Sequence, residues 1–269
     1  MKMMHRLRPL SLLLLLIFYE SSFLFAQDDS TLHKALWQAQ PIFIDGSDAD
    51  WPAALPFNDE NGKLRYAITN DTKALYIFLV TKDPLMEQKM LKAGLTLYLN
   101  REGKKRENTS INYPLEASDD GMPAGDLRMV KLNVLMGAKE MELLGFSKGN
   151  GRQPIDGTNE LGVQVHVGFK ETGEVLYEAA IPLAALYKNG SDAEKPLAVG
   201  IAVKGLPRTA PAAVNNNNPV PAGGRGGRGG SPGNMSGAPT PMPSRDVRSA
   251  MQDIFITTKV WHTVQLTKQ

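Results

Sequence analysis

The sequence predicts an all-β protein, an antiparallel β-sandwich of jelly-roll type, and three observations predict it. Short runs of alternating apolar and polar residues recur along the chain, as at Leu95, Leu97 and Leu99 or at Leu161, Val163, Val165 and Val167. A period of two marks a strand with one buried face. Turn-forming residues punctuate these runs, as at 70–73 (Asn-Asp-Thr-Lys) and 170–173 (Lys-Glu-Thr-Gly), where side chains bond their own backbone or glycine relaxes the turn. No long helical period separates one run from the next, which argues against crossover helices and a parallel sheet.

The chain opens with an address. Lys2, Arg6 and Arg8 precede an apolar run at 10–18, and Ala26 follows as a small residue at a cleavage edge; the order charged, apolar, small is that of an export signal. The apolar run is too short to span a bilayer comfortably. Residues 1–26 hold three basic and one acidic residue, so a chain of 30 basic and 28 acidic residues becomes one with 27 of each. A neutral chain gives no electrostatic case for nucleic acid or for an anionic membrane surface as a partner. There is no cysteine, so the exported fold relies on its core and not on disulfides. The expected location is the periplasm or the extracellular space.

Residues 27–40 read as a leader, with Leu32, Ala35, Leu36 and Ala39 at a weak helical spacing. The domain proper spans 41–269. It begins with the apolar Ile42, Phe43 and Ile44, the turn pair Asp45-Gly46, and Trp51, which is assigned to core packing. Leu64, Tyr66 and Ile68 alternate; the run from Leu75 to Val80 is apolar throughout, as in a strand covered on both faces. Residues 84–92 make a short helix or loop. Strands are expected at 94–100 and 107–113 around a charged turn. Val130, Leu132, Val134 and Met136 alternate as in a strand, followed by Met141 and Leu143. Leu161 to Val167 and Val175 to Ile181 form a hairpin, and Leu197 to Val203 an inner row.

Composition breaks at 207–245, which holds four consecutive asparagines, a Gly/Arg-rich repeat and scattered proline and serine. Such a segment buries too little apolar surface to offset its ordering entropy and is expected to be disordered. Ile254, Ile256 and the run 260–266 then resume the strand pattern, so the break is an insertion before the last strands of one domain.

Few residues point to reaction chemistry. Asp45, Asp48 and Asp50 suggest hard oxygen ligands but lack the spacing of a calcium-binding loop, and turn chemistry is the competing account. Asp119 and Asp120 sit in a Gly-rich loop at 118–126, which offers neither the rigidity nor the burial that a glycosidase carboxylate pair needs. His166 and His262 are read as lone surface histidines. Neither has a His or Cys partner at metal-ligand spacing. No nucleophile elbow or phosphate-binding loop is present. The sequence therefore predicts no catalytic residue, no metal and no cofactor.

Three motifs, Ile44-Asp45-Gly46 through Trp51 with the hairpin ending at Asp83, the stretch Tyr177 to Leu183 (Y-E-A-A-I-P-L), and the closing strand from Trp261 to Leu266, together resemble the carbohydrate-binding module family 9-like domains, a DOMON-like β-sandwich group. The resemblance implies a non-catalytic module that holds glycan against surface aromatics. Trp261, out of phase with Val264 and Leu266 and so expected to face outward, is the first candidate; Tyr98 and Tyr113 are weaker ones. The alternative is a structural or protein-binding envelope protein with the same sandwich and no sugar site. The partner is then a glycan or another envelope component.

Overall fold

The computed structural model describes residues 32–40, 42–115, 127–187, 195–208 and 252–268. The export signal at 1–26, the acidic loop at 118–126 and nearly all of the 207–245 insertion lie outside the described residues.

Thirteen strands and three helices are described: β1 (Leu32–Lys34), β2 (Leu36–Trp37), β3 (Phe57–Asn58), β4 (Arg65–Asn70), β5 (Ala74–Thr81), α1 (Pro84–Lys92), β6 (Leu95–Asn100), β7 (Ser110–Asn112), α2 (Leu127–Gly137), β8 (Glu140–Leu144), β9 (Gly151–Pro154), β10 (Gln164–Phe169), β11 (Val175–Pro182), α3 (Leu183–Leu186), β12 (Leu197–Val203) and β13 (Thr258–Gln265). They form a β-sandwich. One sheet has seven strands in the order β1-β13-β12-β6-β7-β8-β9; the other runs β10-β11-β5-β4-β2, with β3 also paired to β4.

The alternating residues do what their period demands. Leu95, Leu97, Leu99, Leu197, Val199, Ile201 and Val203 from the first sheet meet Leu64, Tyr66, Ile68, Leu75, Ile77, Leu79, Val175, Tyr177 and Ile181 from the second in one inner core. β5 is buried on both faces, because its even-numbered residues Tyr76, Phe78 and Val80 enter a second cluster on the outside of the six-stranded sheet.

Three elements differ from the expectation, the smallest at 254–256, where Ile254 and Ile256 lie in a turn before β13 and not in a strand. Over its described residues, 32–40, the leader is not helical, and the sandwich is not antiparallel throughout. β1 pairs in parallel with β13 and β2 in parallel with β4, while Ala35 between them is buried in the core. A three-residue and a two-residue strand thus join both sheets at one edge. Ala35 N–H donates to the Gln265 carbonyl, and Gln38 N–H to that of Asn70; the partners' unpaired backbone groups decide the conformation, overriding a weak apolar spacing. The second departure is α2, a helix where a strand was expected. Val130 and Val134 pack inward four residues apart, while Leu132 and Met136 face water at the same spacing. Apolar residues on opposite helical faces read in sequence as a period of two.

The two described ends flanking the insertion meet. Leu206 N–H donates to the Ile254 carbonyl at 2.8 Å, and a Cβ at Gly205 would lie 2.3 Å from the Phe255 carbonyl oxygen. Only glycine allows so close an approach, so the chain leaves β12 and returns to β13 at one place.

Candidate functional site

Each sheet carries a tryptophan on its outer face, and the two are held differently. On the six-stranded sheet Trp51 is buried, stacked on Phe78 with ring centroids 4.9 Å apart at 23°. Its Nε1–H donates to Glu178 Oε1 at 2.6 Å, and the Gly46 N–H donates to Glu178 Oε2 at 2.5 Å. Glu178 stands directly opposite Phe78 in the β11–β5 register. The aspartate-glycine turn, the tryptophan and the glutamate of the E-x-x-I-P stretch therefore form one device, a latch that closes the 42–51 segment over the sheet. Gly46 has φ +87°, and a Cβ there would lie 2.8 Å from the His166 ring. A side chain at Gly168 would in turn meet the Gly46 carbonyl at 2.5 Å. Burial raises the Glu178 pKa to about 7, opposed by the bonds from Trp51 and Gly46 and assisted by Asp45 and Asp50.

The aspartates of this segment are used locally. Asp45 Oδ1 accepts from Ser47 N–H and Asp50 Oδ2 from Phe43 N–H; Asp48 pairs with Lys170 at 2.5 Å. Among the described residues no group of three or more His, Asp or Glu could hold a metal ion.

Neither histidine is a lone surface group. His166 is partly buried beneath the 42–51 segment, and this burial lowers its pKa. His262 belongs to the inner row of β13, because it pairs with the core residue Val199. It takes part in a 2.5 Å hydrogen bond with the Tyr66 hydroxyl, lies 5.1 Å from the His33 ring and 4.7 Å from that of Phe57. Burial lowers its pKa to about 4, with His33 adding to the effect.

On the seven-stranded sheet the outward row reads Trp261, Gly200, Tyr98, Ser110, Leu144 across β13, β12, β6, β7 and β8. Gly200 is the reason the two large rings meet. A Cβ there would come within 2.9 Å of three Trp261 ring carbons, so the indole lies flat over the glycine and reaches Tyr98 from two strands away. The rings are near parallel, 5.8 Å apart at 18°, and both remain partly open.

Charged and polar groups border them. Lys259 Nζ lies 5.2 Å from the Tyr98 ring centroid and 2.5 Å from Glu107 Oε1. The bond from Lys259 lowers the Glu107 pKa, and burial followed by Glu107 raises that of Tyr98. One row over, Thr96 Oγ1–H donates to Asn112 Oδ1 at 2.6 Å, and Asn112 Nδ2–H to Glu142 Oε2 at 2.9 Å. Lys259 also lines a polar cleft of about 290 Å³ with Asp59, Lys63, Asp83, Lys89 and Asp253. An apolar ring face flanked by fixed donors and acceptors can bind a flat, hydroxyl-bearing ligand without reacting with it.

Of the three aromatic candidates, two come together here and one does not. Tyr113 is only 2% exposed; it lies in the inner core, tilted against Tyr177, with its hydroxyl donating to the Ala138 carbonyl at 3.2 Å. Burial between the sheets removes it as a surface platform. Sequence reasoning did not find Gly200, Lys259 or Glu107. A glycine within the otherwise apolar run of β12 is the one signal that was available, since glycine in a strand interior marks a close approach.

No protein-family model matches the chain, and no curated protein matches it. Among solved structures it is similar to a carbohydrate binding module family 9 from Caldicellulosiruptor kristjanssonii in complex with cellotriose, at 11% identity and a TM-score of 0.34, covering 64% of this chain and 76% of that one. No residue role is carried from that protein to this one.

Proposed function

We propose that this is an exported, non-catalytic binding module that takes glycan on the outer face of its seven-stranded sheet. The near-parallel Trp261 and Tyr98 rings over Gly200 carry this reading. The C–H face of a sugar covers an aromatic ring left in water, and Lys259, Glu107 and the polar row ending in Glu142 supply partners for its hydroxyls. A shallow, partly open face implies weak binding, with Kd between micromolar and millimolar, or about −8 to −4 kcal/mol.

The experiment is a glycan array on the purified protein with calcium and chelator arms, followed by titration of any hit against Trp261→Ala. Binding by the wild type that is lost in the variant, with an unchanged melting temperature, supports the proposal. Absence of binding to every glycan overturns it. One observation favours the second reading, a sandwich that binds an envelope protein: Lys259 already covers part of the Tyr98 ring. That reading gains if the array is blank and Trp261→Ala leaves the fold intact.

A further inference from the structure

We propose that the polar cleft between the 59–63 turn, α1 and the start of β13 binds a small zwitterion, of which a free α-amino acid is the simplest, a role beyond the glycan face. Two buried groups of opposite charge line this cleft, Asp59 and Lys89, and each is only 3% exposed. Asp59 is fixed by its place in the turn: its N–H donates to the Leu64 carbonyl at 2.9 Å, and its Oδ1 accepts from the Leu64 N–H at 2.7 Å. Its Oδ2 is buried and accepts from no group. Lys89 lies in the last turn of α1, and its Nζ donates to the Thr258 hydroxyl at 2.8 Å, a neutral partner. Asp253, Asp83 and Asp59 attract it without pairing with it, and burial outweighs them to lower its pKa.

A buried charge without a partner of opposite sign is costly, and here two of them line one cleft without pairing with each other. That arrangement selects the occupant. A neutral sugar supplies hydroxyls but compensates neither charge. An anion alone meets Lys89 but also the carboxylates, and a cation alone meets the lysine. A metal ion lacks ligands, since no group of three or more His, Asp or Glu among the described residues could hold one. A ligand whose carboxylate bonds Lys89 and whose ammonium takes the open lone pairs of Asp59 compensates both through charge-assisted hydrogen bonds. The rim carries both signs as well, with Lys63 against Glu60 and Asp253, and residues 246–251 add one of each, Asp246 and Arg248. Glu60 and Asn61 are exposed and Lys63 is half-buried, so rim side chains can swing aside to admit a ligand. The volume of about 290 Å³ limits that ligand to a small molecule.

The test is calorimetric titration of the purified protein with each of the common free α-amino acids, and with the N-acetyl and C-amide forms of those that bind. At least one free amino acid is expected to bind in the millimolar range or tighter, and blocking either of its ends to lower the affinity at least about tenfold. Lys89→Met, which keeps the stem length, is expected to lose the difference between the acid and its amide. Asp59→Asn keeps an acceptor for the Leu64 N–H and is expected to lose the difference between the free amine and its N-acetyl form. The melting temperature of each variant checks its fold, and the selectivity of the wild type decides the matter even where a variant fails to fold. Absence of heat with every free amino acid overturns the proposal, and so do blocked forms that bind as tightly as free ones. A neutral monosaccharide whose binding is removed by Lys89→Met also overturns it, in favour of a second sugar site.

Discussion

Trp51 and Trp261 occupy equivalent settings, each on the outer face of one sheet, and meet opposite fates. Trp51 is covered by its own segment and anchored by a carboxylate on the strand beneath it. Trp261 lies across a glycine, stacks on a tyrosine and keeps part of its ring in water. The difference is not in the ring but in what stands opposite it. Glu178 gives the first indole a buried hydrogen-bond acceptor, so that covering it satisfies every polar group. Gly200 gives the second a flat bed with a neighbouring ring and leaves its outer side free. One tryptophan is buried and tied to a carboxylate, the other keeps part of its ring in water.

The largest break in this contrast comes from Glu178→Ala. It leaves the Trp51 and Gly46 N–H groups without acceptors, at about 1 to 3 kcal/mol each, so a loss of about 2 to 6 kcal/mol in urea unfolding is expected. If that variant costs no more than Trp261→Ala, the latch is not a stability device.

Acidity is the next lever. The Glu178 pKa rises on folding from about 4.5 to about 7, so the folded state holds a proton that the unfolded state has released. Its contribution to stability therefore falls as pH rises from about 4.5 to about 7, by on the order of 2 to 3 kcal/mol. His262 acts in the opposite sense. Its pKa falls on folding to about 4, so its contribution is full above about 6.5 and is lost as pH drops toward 4. Denaturant titrations across pH 4 to 8 are expected to separate the two: Glu178→Gln removes the gain on acidification, and His262→Phe removes the loss. Unchanged profiles in both variants would contradict the burial that shifts these groups.

Smaller effects belong to the open face. Gly200→Ala places a methyl group against the Trp261 ring. The ring is partly open and can tilt, so the expected cost is about 1 kcal/mol, with a shift of tryptophan emission to longer wavelength as the indole lifts into water. Trp261→Ala is expected to cost less than Glu178→Ala, because the ring is partly open and its removal leaves no buried polar group without a partner. A drop as large as that of Glu178→Ala would make the second tryptophan structural too.

Much of this was legible in the sequence, and the residues show why. The inner rows of β6 and β12 follow from branched aliphatic residues at every second position, which a pleated strand turns to one face. The outward phase of Trp261 and the inward phase of Val264 follow from the same rule. The aspartate-glycine turn before Trp51 was readable, as was the apolar run of β5 with both faces covered. The residues that escaped are those whose setting depends on distant partners. The two apolar faces of α2 imitate the alternation of a strand. At Tyr113 no local pattern tells the inner side of a short strand end from the outer.

The sequence by itself determined the class of the fold and the phase of each long strand. Local sterics and the period of side chains carry that information over a few residues. Tertiary structure alone decided that β1 and β2 join different sheets, that Glu178 accepts from a segment about 130 residues earlier, that His262 meets Tyr66, and that Trp261 meets Tyr98. Each of these depends on register between strands far apart in the chain. A one-residue slip moves every side chain to the other face, and only the completed sheets set that register.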